Sequence, residues 1–309
     1  MFILLAIPCI LLLLLLAIVA GVMRRWKVAL LFLVAGIGLN VATEQIPLNI
    51  FRRPAKSQGT RVKILEYNIC AKAAYQALHD DAFIAYILAQ DADILFLPEN
   101  LYYTDCRLDS VLSQHYPYSI YRQVPKKERP EEMGIYSRFP LTGIKRLPSP
   151  DNPNGSDTMM RAIATIGHKR VALLHLHCCS NSIGIRRAYQ EREQDAALIV
   201  QSMAALRDSV DYFIAAGDFN DLSGSPLLRS LQEQGLHDAW WTAGTGFGFT
   251  YREGWHHFRL DHLLVSNAIT VTDIHVDGTA PYSDHLPLVA MVRVPEFKSQ
   301  NSKYKELDN

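Results

Sequence analysis

The chain has 309 residues, which suits one ordinary domain and an appendage, and 49% of them are hydrophobic, with the excess gathered in the first fifty positions. Formal charge is zero overall, but residues 1–56 hold six basic residues against one acidic, leaving 25 against 30 in residues 57–309. That net −5 argues against a non-specific grip on a polyanion through bulk charge. Five cysteines, one inside the N-terminal apolar run and two adjacent, make a poor disulfide framework and show no zinc spacing.

Residues Phe2 to Met23 carry no charge, and at about 1.5 Å of rise per helical residue they can cross a hydrocarbon layer of roughly 30 Å. A cleaved signal peptide is the rival reading, but only Met1 precedes the apolar run, so the basic leader is missing. After Arg24, Arg25 and Lys27 a second apolar run, Val28 to Thr43, is short for a full span and is interrupted by Gly36, Gly38 and Asn40. Residues 1–50 therefore read as a transmembrane helical hairpin with segments at about 2–23 and 28–43. Arg52, Arg53 and Lys56 match the first basic cluster in number, but the first is tighter. This favours a membrane location with the domain that follows extracytoplasmic, periplasmic in a bacterium. Membrane lipid is the expected partner of these segments, and no protein partner is indicated.

Residues 51–60, FRRPAKSQGT, read as a linker. A folded domain over 61–295 and a polar tail over 296–309 follow. Arg61–Tyr67 alternates as a strand, with Val62, Ile64 and Tyr67 facing the core. Ala74–Gln90 has a helical stripe through Leu78, Phe83, Ile84, Ile87 and Leu88, and Ala92–Leu97 returns to a buried strand. Further strands are expected at Met133–Ser137, Ala162–Ile166, Val171–His177, Tyr212–Ala216, Leu260–Ser266 and Leu288–Val294. Arg186–Leu206 reads as a helix with Tyr189, Ala196, Ala197, Ile199, Val200 and Met203 on its apolar face. Gly167–Arg170 reads as a hairpin turn and Asp151–Ser156 as an exposed loop, while Cys70 and Cys106 read as free packed thiols. The alternation implies layered α and β.

Polar residues recur where these strands run out: Asn68, Glu99, His177, Asp218 with Asn220, Asp261, and Asp284 with His285. Sheets flanked by helices gather ligands at such ends. Hydrolysis of a phosphoester needs a hard cation, an activated water and donors for charge on the phosphoryl oxygens, and these side chains supply each part. Gly217–Asn220, GDFN, follows the apolar strand FIAA, so Asp218 emerges as the backbone leaves the sheet and Gly217 permits close approach; taken alone, an Asx-turn or cap explains it as well. Ser283–His285, SDH, is weak alone, but with RLDHLLVS about twenty residues upstream a carboxylate can orient an imidazole that acts on water.

In order, LEYNIC, FLPEN, MGIYSRFPL, LLHLHCC, AAGDFND, FRLDHLLVS and YSDHLPL resemble the successive blocks of the endonuclease/exonuclease/phosphatase superfamily over Arg61 to Val294. That superfamily includes deoxyribonuclease I-like nucleases, sphingomyelinases and inositol polyphosphate phosphatases. The resemblance implies a four-layer α/β sandwich, two mixed sheets flanked by helices, and a metal-dependent phosphoester hydrolase using Mg²⁺, with Mn²⁺ as the alternative. It implies Glu99 as principal metal ligand with Asn68 and Asp284 nearby, and Asp218 and Asn220 positioning water. Asp261 would orient His285, and His177 would donate to a phosphoryl oxygen. His175 shares a strand face with His177, so the choice between them stays open, with His177 preferred at the strand end. Arg138 and Arg259 are candidate substrate contacts. Pro98 stands where the family commonly has glutamine, which puts substrate positioning in doubt but not metal ligation. The substrate is a nucleic acid or a phospholipid head group. The alternatives are a phospholipid or sphingomyelin-type phosphodiesterase or phosphatase of the same superfamily, and a catalytically silent membrane-anchored binding module.

Overall fold

The computed structural model describes residues 6–47, 49, 58–69, 81–100, 107–120, 132–148, 157–254, 256–280 and 283–296. The first expected helix begins within the described residues as α1 (Ala6–Val22), and Trp26–Thr43 follows as α2 after a tight connection. The basic connection is shorter than the charges suggest, because Lys27 already lies in the first turn of α2. The second segment thereby reaches 18 residues and is long and apolar enough to cross a membrane by length and composition. The two helices pack on each other, with Gly36 against Leu13 and Leu14.

Beyond them the chain forms two six-stranded mixed sheets. One contains β1 (Thr60–Glu66), β2 (Ile94–Asn100), β3 (Tyr118–Ile120), β4 (Glu132–Ser137), β13 (Thr270–Val276) and β14 (Leu288–Val294), in the order β13-β14-β1-β2-β4-β3. The other contains β5 (Leu141–Pro148), β6 (Asp157–Ile166), β7 (Lys169–His177), β8 (Tyr212–Asp218), β9 (Leu236–Asp238) and β12 (Asp261–Ser266), in the order β5-β6-β7-β8-β12-β9. A short ribbon, β10 (Tyr251–Glu253) with β11 (His256–Phe258), stands apart.

Period-two alternation sorts each strand's side chains between two cores. Val62, Ile64, Ile94 and Phe96 meet Ala162, Leu173, Ile214 and Leu263 in the core between the sheets. Leu65, Tyr67, Leu95 and Leu97 turn outward onto α3 (Asp81–Ala89) and α4 (Arg107–His115). On the other side Leu174, Leu176, Ala215 and Leu264 meet α5 (Ile185–Leu206) and α6 (Pro226–Glu233). The result is helix, sheet, sheet, helix, as the resemblance implies.

The expected strands are present, and β14 has the expected bounds. The inward face of α5 is rotated from the expected stripe. Ala188, Arg192, Asp195, Ile199, Ser202 and Met203 are buried, while Tyr189 is exposed. The reason is local pairing: Asp195 accepts from Thr158 Oγ1, Arg192 donates to Cys179 O, and Ser202 Oγ accepts from Arg161. Polar groups satisfied in this way can sit inward. The turn at Gly167–His168 is as expected. The start of the 74–90 helix, the loop at 151–156, Cys70, Cys106, most of the linker and most of the tail lie outside the described residues.

Candidate active site

Register builds the site. β7 pairs with β8 in parallel, matching His177 to Asp218, and β8 pairs with β12 antiparallel, matching Asp218 to Asp261. Three functional side chains thus stand in one row across one sheet edge. The opposite sheet brings Asn68 just past β1 and Glu99 near the end of β2, which run parallel. His285 lies just before β14, whose Leu288 pairs with Glu66.

Local backbone aims these groups. At Gly217, φ is +145°, and an added Cβ would stand 1.9 Å from Leu176 O, so only glycine lets β7 and β8 approach here. Asn220 and Glu99 are non-glycine residues in the left-handed region, with φ of +49° and +53°. Strain of this kind is held in place by surrounding contacts and concentrates at functional sites. Pro98 falls where the β2–β4 register shifts between Leu97 and Asn100, a position that needs no ladder N–H.

The side chains converge. His285 Nδ1 lies 2.7 Å from Asp261 Oδ2, and its Nε2 lies 3.8 Å from Asp218 Oδ2. Asn68 Nδ2 donates to Glu99 Oε1 and to Asp218 Oδ2, each at 3.1 Å. Asn220 caps Asp218, its backbone N donating to Oδ1 at 2.8 Å and its Nδ2 to Oδ2 at 3.1 Å. His177 Nε2 is 3.4 Å from Glu99 Oε1. Ser283 Oγ donates to Asn68 O and accepts from His285 N, tying the end of β1 to the segment that enters β14 within one sheet.

Burial sets the electrostatics. Asp218 has its pKa raised to about 6, first by desolvation and then by Asp261, against the lowering effect of His285 and His177. For His285 burial opposes the charged form, but Asp261 and Asp218 outweigh it and raise the pKa to about 10. The residues chosen from sequence omit Glu66. It is fully buried, and no N–H or hydroxyl donor reaches its carboxyl oxygens or Asp261 Oδ1, which leaves Asp261 to accept from the protonated Glu66. Desolvation first, then Asp261 and Asp218, pushes its pKa well above the usual range, favouring the protonated acid. Strand parity was the available signal, since Glu66 shares a face with Val62 and Ile64. Tyr251 is a further neighbour that the strand-end pattern does not mark; its ring stands edge-on to His285 at 5.1 Å.

Two groups of side chains can hold a cation: Glu99, His177 and Asp218, and Asp218, Asp261 and His285, each with ligand atoms within 4.8 Å of one another. Carboxylate and amide oxygens from Glu99, Asp218 and Asn68 fit a hard divalent ion, which takes one or two carboxylates and keeps several waters. Asp284 is in neither group; its charge helps raise the His285 pKa.

The other candidates are occupied elsewhere. His175 is buried against Phe96, its Nδ1 is 3.3 Å from Ala216 O, and burial lowers its pKa to about 4. Arg138 follows Ser137, which pairs with Ile94 at the start of β2, so it sits at the opposite end of the sheet from Glu99; it binds Asp93 and Asp91. Arg259 is buried on Asp238 at 2.7 Å and on Ser223, and with His262 it holds Asp238 well below the usual carboxylate range against the effect of burial. Arginines so placed are structural ion pairs. Arg161, on β6, is held by Ser202.

Paired mixed sheets with acids, amides and imidazoles gathered at one edge make an α/β sandwich whose site is suited to a divalent cation. The chain belongs to the Endonuclease/Exonuclease/phosphatase family, whose model matches residues 65–285. Among solved structures it resembles an endonuclease/exonuclease/phosphatase from Beutenbergia cavernae at 20% identity, covering 76% of this chain and 72% of that one, with a TM-score of 0.59. A 3′ phosphatase from Neisseria, NExo, bound to a product DNA hairpin, is 18% identical over 74% of this chain and 98% of its own, with a TM-score of 0.58. The AP endonuclease LMAP from Leishmania major is 16% identical over 83% and 95%, with a TM-score of 0.60. No curated protein matches the chain.

Proposed function

We propose that the chain is a Mg²⁺-dependent phosphoester hydrolase held at a membrane by the α1–α2 hairpin. The observation that carries the reading is the linked series Asp261, His285, Asp218, Asn68 and Glu99, drawn from both sheets to one edge. Glu99 is the principal metal ligand in this proposal, with Asn68 and Asp218 beside it; Mn²⁺ suits the same oxygen set. When bound, the ion supplies Lewis-acid polarisation of the phosphoryl oxygens.

The chain's own residues do the rest. Asn220 and Asn68 fix the rotation of the Asp218 carboxylate, so that it can orient a water. Asp261 holds His285 by Nδ1 and leaves Nε2 facing Asp218, so the Asp218–His285 pair can move the water's proton. His177, at the strand end, donates to a phosphoryl oxygen; buried His175 is not part of the proposed set. Asp284 contributes charge beside the imidazole rather than ligation.

The test uses a soluble diester, bis(p-nitrophenyl) phosphate, with the full chain in detergent. Turnover with Mg²⁺, loss with EDTA, and loss in Glu99→Ala with folding intact are the expected results. A wild-type chain that binds phosphoesters but turns none over with Mg²⁺ or Mn²⁺ would establish the silent binding module instead.

A further inference from the structure

The end of α2 does not join the domain where its first strand begins. Thr60 pairs with Val294 and lies against the Gly167 turn, whereas Glu66 pairs with Leu288 beside His285. The start of β1 is therefore at the end of the sandwich remote from catalysis. β7 runs from that remote turn to His177, a span of about 30 Å for its nine residues at roughly 3.3 Å each.

The last turn of α2 docks instead at the catalytic end. Gln45, itself buried, donates from Nε2 to Ser223 O at 2.8 Å, on the loop that leads from Asp218 and Asn220 into α6. Gly224 has φ +71°, and a Cβ there would stand 2.7 Å from Thr43 O, so the loop backbone is shaped to the helix end. Arg229 Nη2 donates to Ala42 O at 3.0 Å. The chain then runs along the neighbouring loop, where Pro47 O accepts from Gly246 N at 3.1 Å and Asn49 Nδ2 donates to Gly244 O at 2.7 Å. That loop leads into β10, whose Tyr251 bridges to His285.

The rim also has interfacial composition. Phe247 and Phe249 stack at 4.9 Å, Phe249 approaches His257 at 5.9 Å, and Arg252, His256 and His257 are exposed. Aromatics beside an exposed arginine and exposed imidazoles suit the head-group layer. The net −5 of residues 57–309 disfavours a polyanion as the alternative occupant.

We infer that the catalytic end faces the bilayer and that the substrate is a phosphodiester in the head group of a membrane lipid, presented across the rim formed by residues 244–254 and 256–258. The inference rests on the phosphoester-hydrolase reading and on the hairpin as a membrane anchor. The reaction takes in one water: its oxygen bonds to phosphorus and the bond to the leaving oxygen breaks. One water proton ends on the leaving oxygen, and the other remains with the new phosphate monoester and ionises.

The full chain reconstituted in phosphatidylcholine vesicles tests orientation without chemistry. A fluorophore at Glu253, on the rim, is expected to be quenched several-fold more by a head-group quencher than one at His168, in the remote turn. Equal or reversed quenching overturns the inference. In parallel, vesicles of phosphatidylcholine, phosphatidylglycerol or sphingomyelin are assayed beside bis(p-nitrophenyl) phosphate and single-stranded DNA. Cleavage of a vesicle lipid, slowed when that lipid is diluted in the surface with a non-hydrolysable ether phosphonate analogue, supports the inference. Turnover of the soluble diester or DNA with all three lipids intact overturns it and leaves the hydrolase proposal standing. No turnover of any substrate removes both.

Discussion

The two ends of the sandwich handle acidic residues in opposite ways. At the remote end Asp91 and Asp93 face Arg138, and Asp211 faces Lys169, each anion with a cation beside it near water. At the catalytic end Glu66, Asp218 and Asp261 are buried together, with only the imidazoles of His285 and His177 among the charges that oppose theirs on Asp218. The first arrangement is neutralised by neighbours and solvent. The second is incomplete without protons or an added cation, because clustered buried anions repel and desolvate one another. What distinguishes a functional carboxylate here is the deficit of positive charge around it, not its residue type.

The largest expected effect breaks the catalytic end directly. Asp218→Ala and His285→Ala should each lower turnover of a soluble diester by at least about 10²-fold, the scale for losing one transition-state group. Asp91→Ala at the remote end should leave it unchanged. Steady-state rates with circular dichroism as a folding control decide this, and near-normal rates in either catalytic variant would contradict the assigned roles.

Gly217→Ala comes next, because it attacks the geometry rather than the chemistry. The new Cβ collides with Leu176 O between the strands that carry His177 and Asp218. A backbone clash joined to a strained φ should cost on the order of 2–4 kcal/mol of stability. Urea unfolding measures it; a loss no larger than that of an ordinary surface substitution would show that the two strands can part freely.

The charge deficit also predicts a pH trend in the metal-free protein. His285 has its pKa raised in the fold, so its contribution is full below its ordinary 6.5 and is lost as pH rises through about 10. Glu66 is an acid with a raised pKa, so ionising it in the fold costs stability as pH rises above its ordinary 4.5. Both act in the same direction. In EDTA the unfolding free energy should fall from pH 6.5 towards 10. Glu66→Gln should be close to wild type near pH 4.5 and gain on it at higher pH. A difference independent of pH would mean that Glu66 is not the protonated member of the cluster.

Much of this contrast was legible in the sequence, for physical reasons that differ between residues. Strands buried on both faces read clearly, and the polar residues at their ends marked one edge. Asn68, Glu99, Asp218, Asp261 and His285 were found that way, with the family resemblance assigning their roles. Glu66 was missed because a charged residue inside an alternating strand reads as solvent-facing, although its parity placed it inward. Arg138 and Arg259 looked alike as free cations in strand-flanking motifs. Their partners, Asp91 with Asp93 and Asp238, come from separate segments, and pairing across segments is invisible to local pattern. The short strands β3, β9, β10 and β11 carry three residues each, too few to establish a period. Gln45 and Ser223 stand 178 positions apart in the sequence, so their contact carries no local signal.

The smallest expected effect tests the remote end from its own side. Arg138 is partly exposed and its partner Asp91 is largely in water, so Coulomb attraction there is screened and offset by the entropy of holding two side chains together. Arg138→Ala should therefore shift the unfolding midpoint only slightly at low salt, and the shift should vanish at high salt. Turnover should stay within about twofold of wild type, since substitutions that touch no transition-state group leave the barrier nearly unchanged. A large, salt-resistant loss of turnover would mean that this arginine communicates with the far edge through β2 and β4. The contrast between the two ends would then be one of degree, with the remote ion pairs serving to hold Glu99 in its left-handed position rather than to satisfy surface charge.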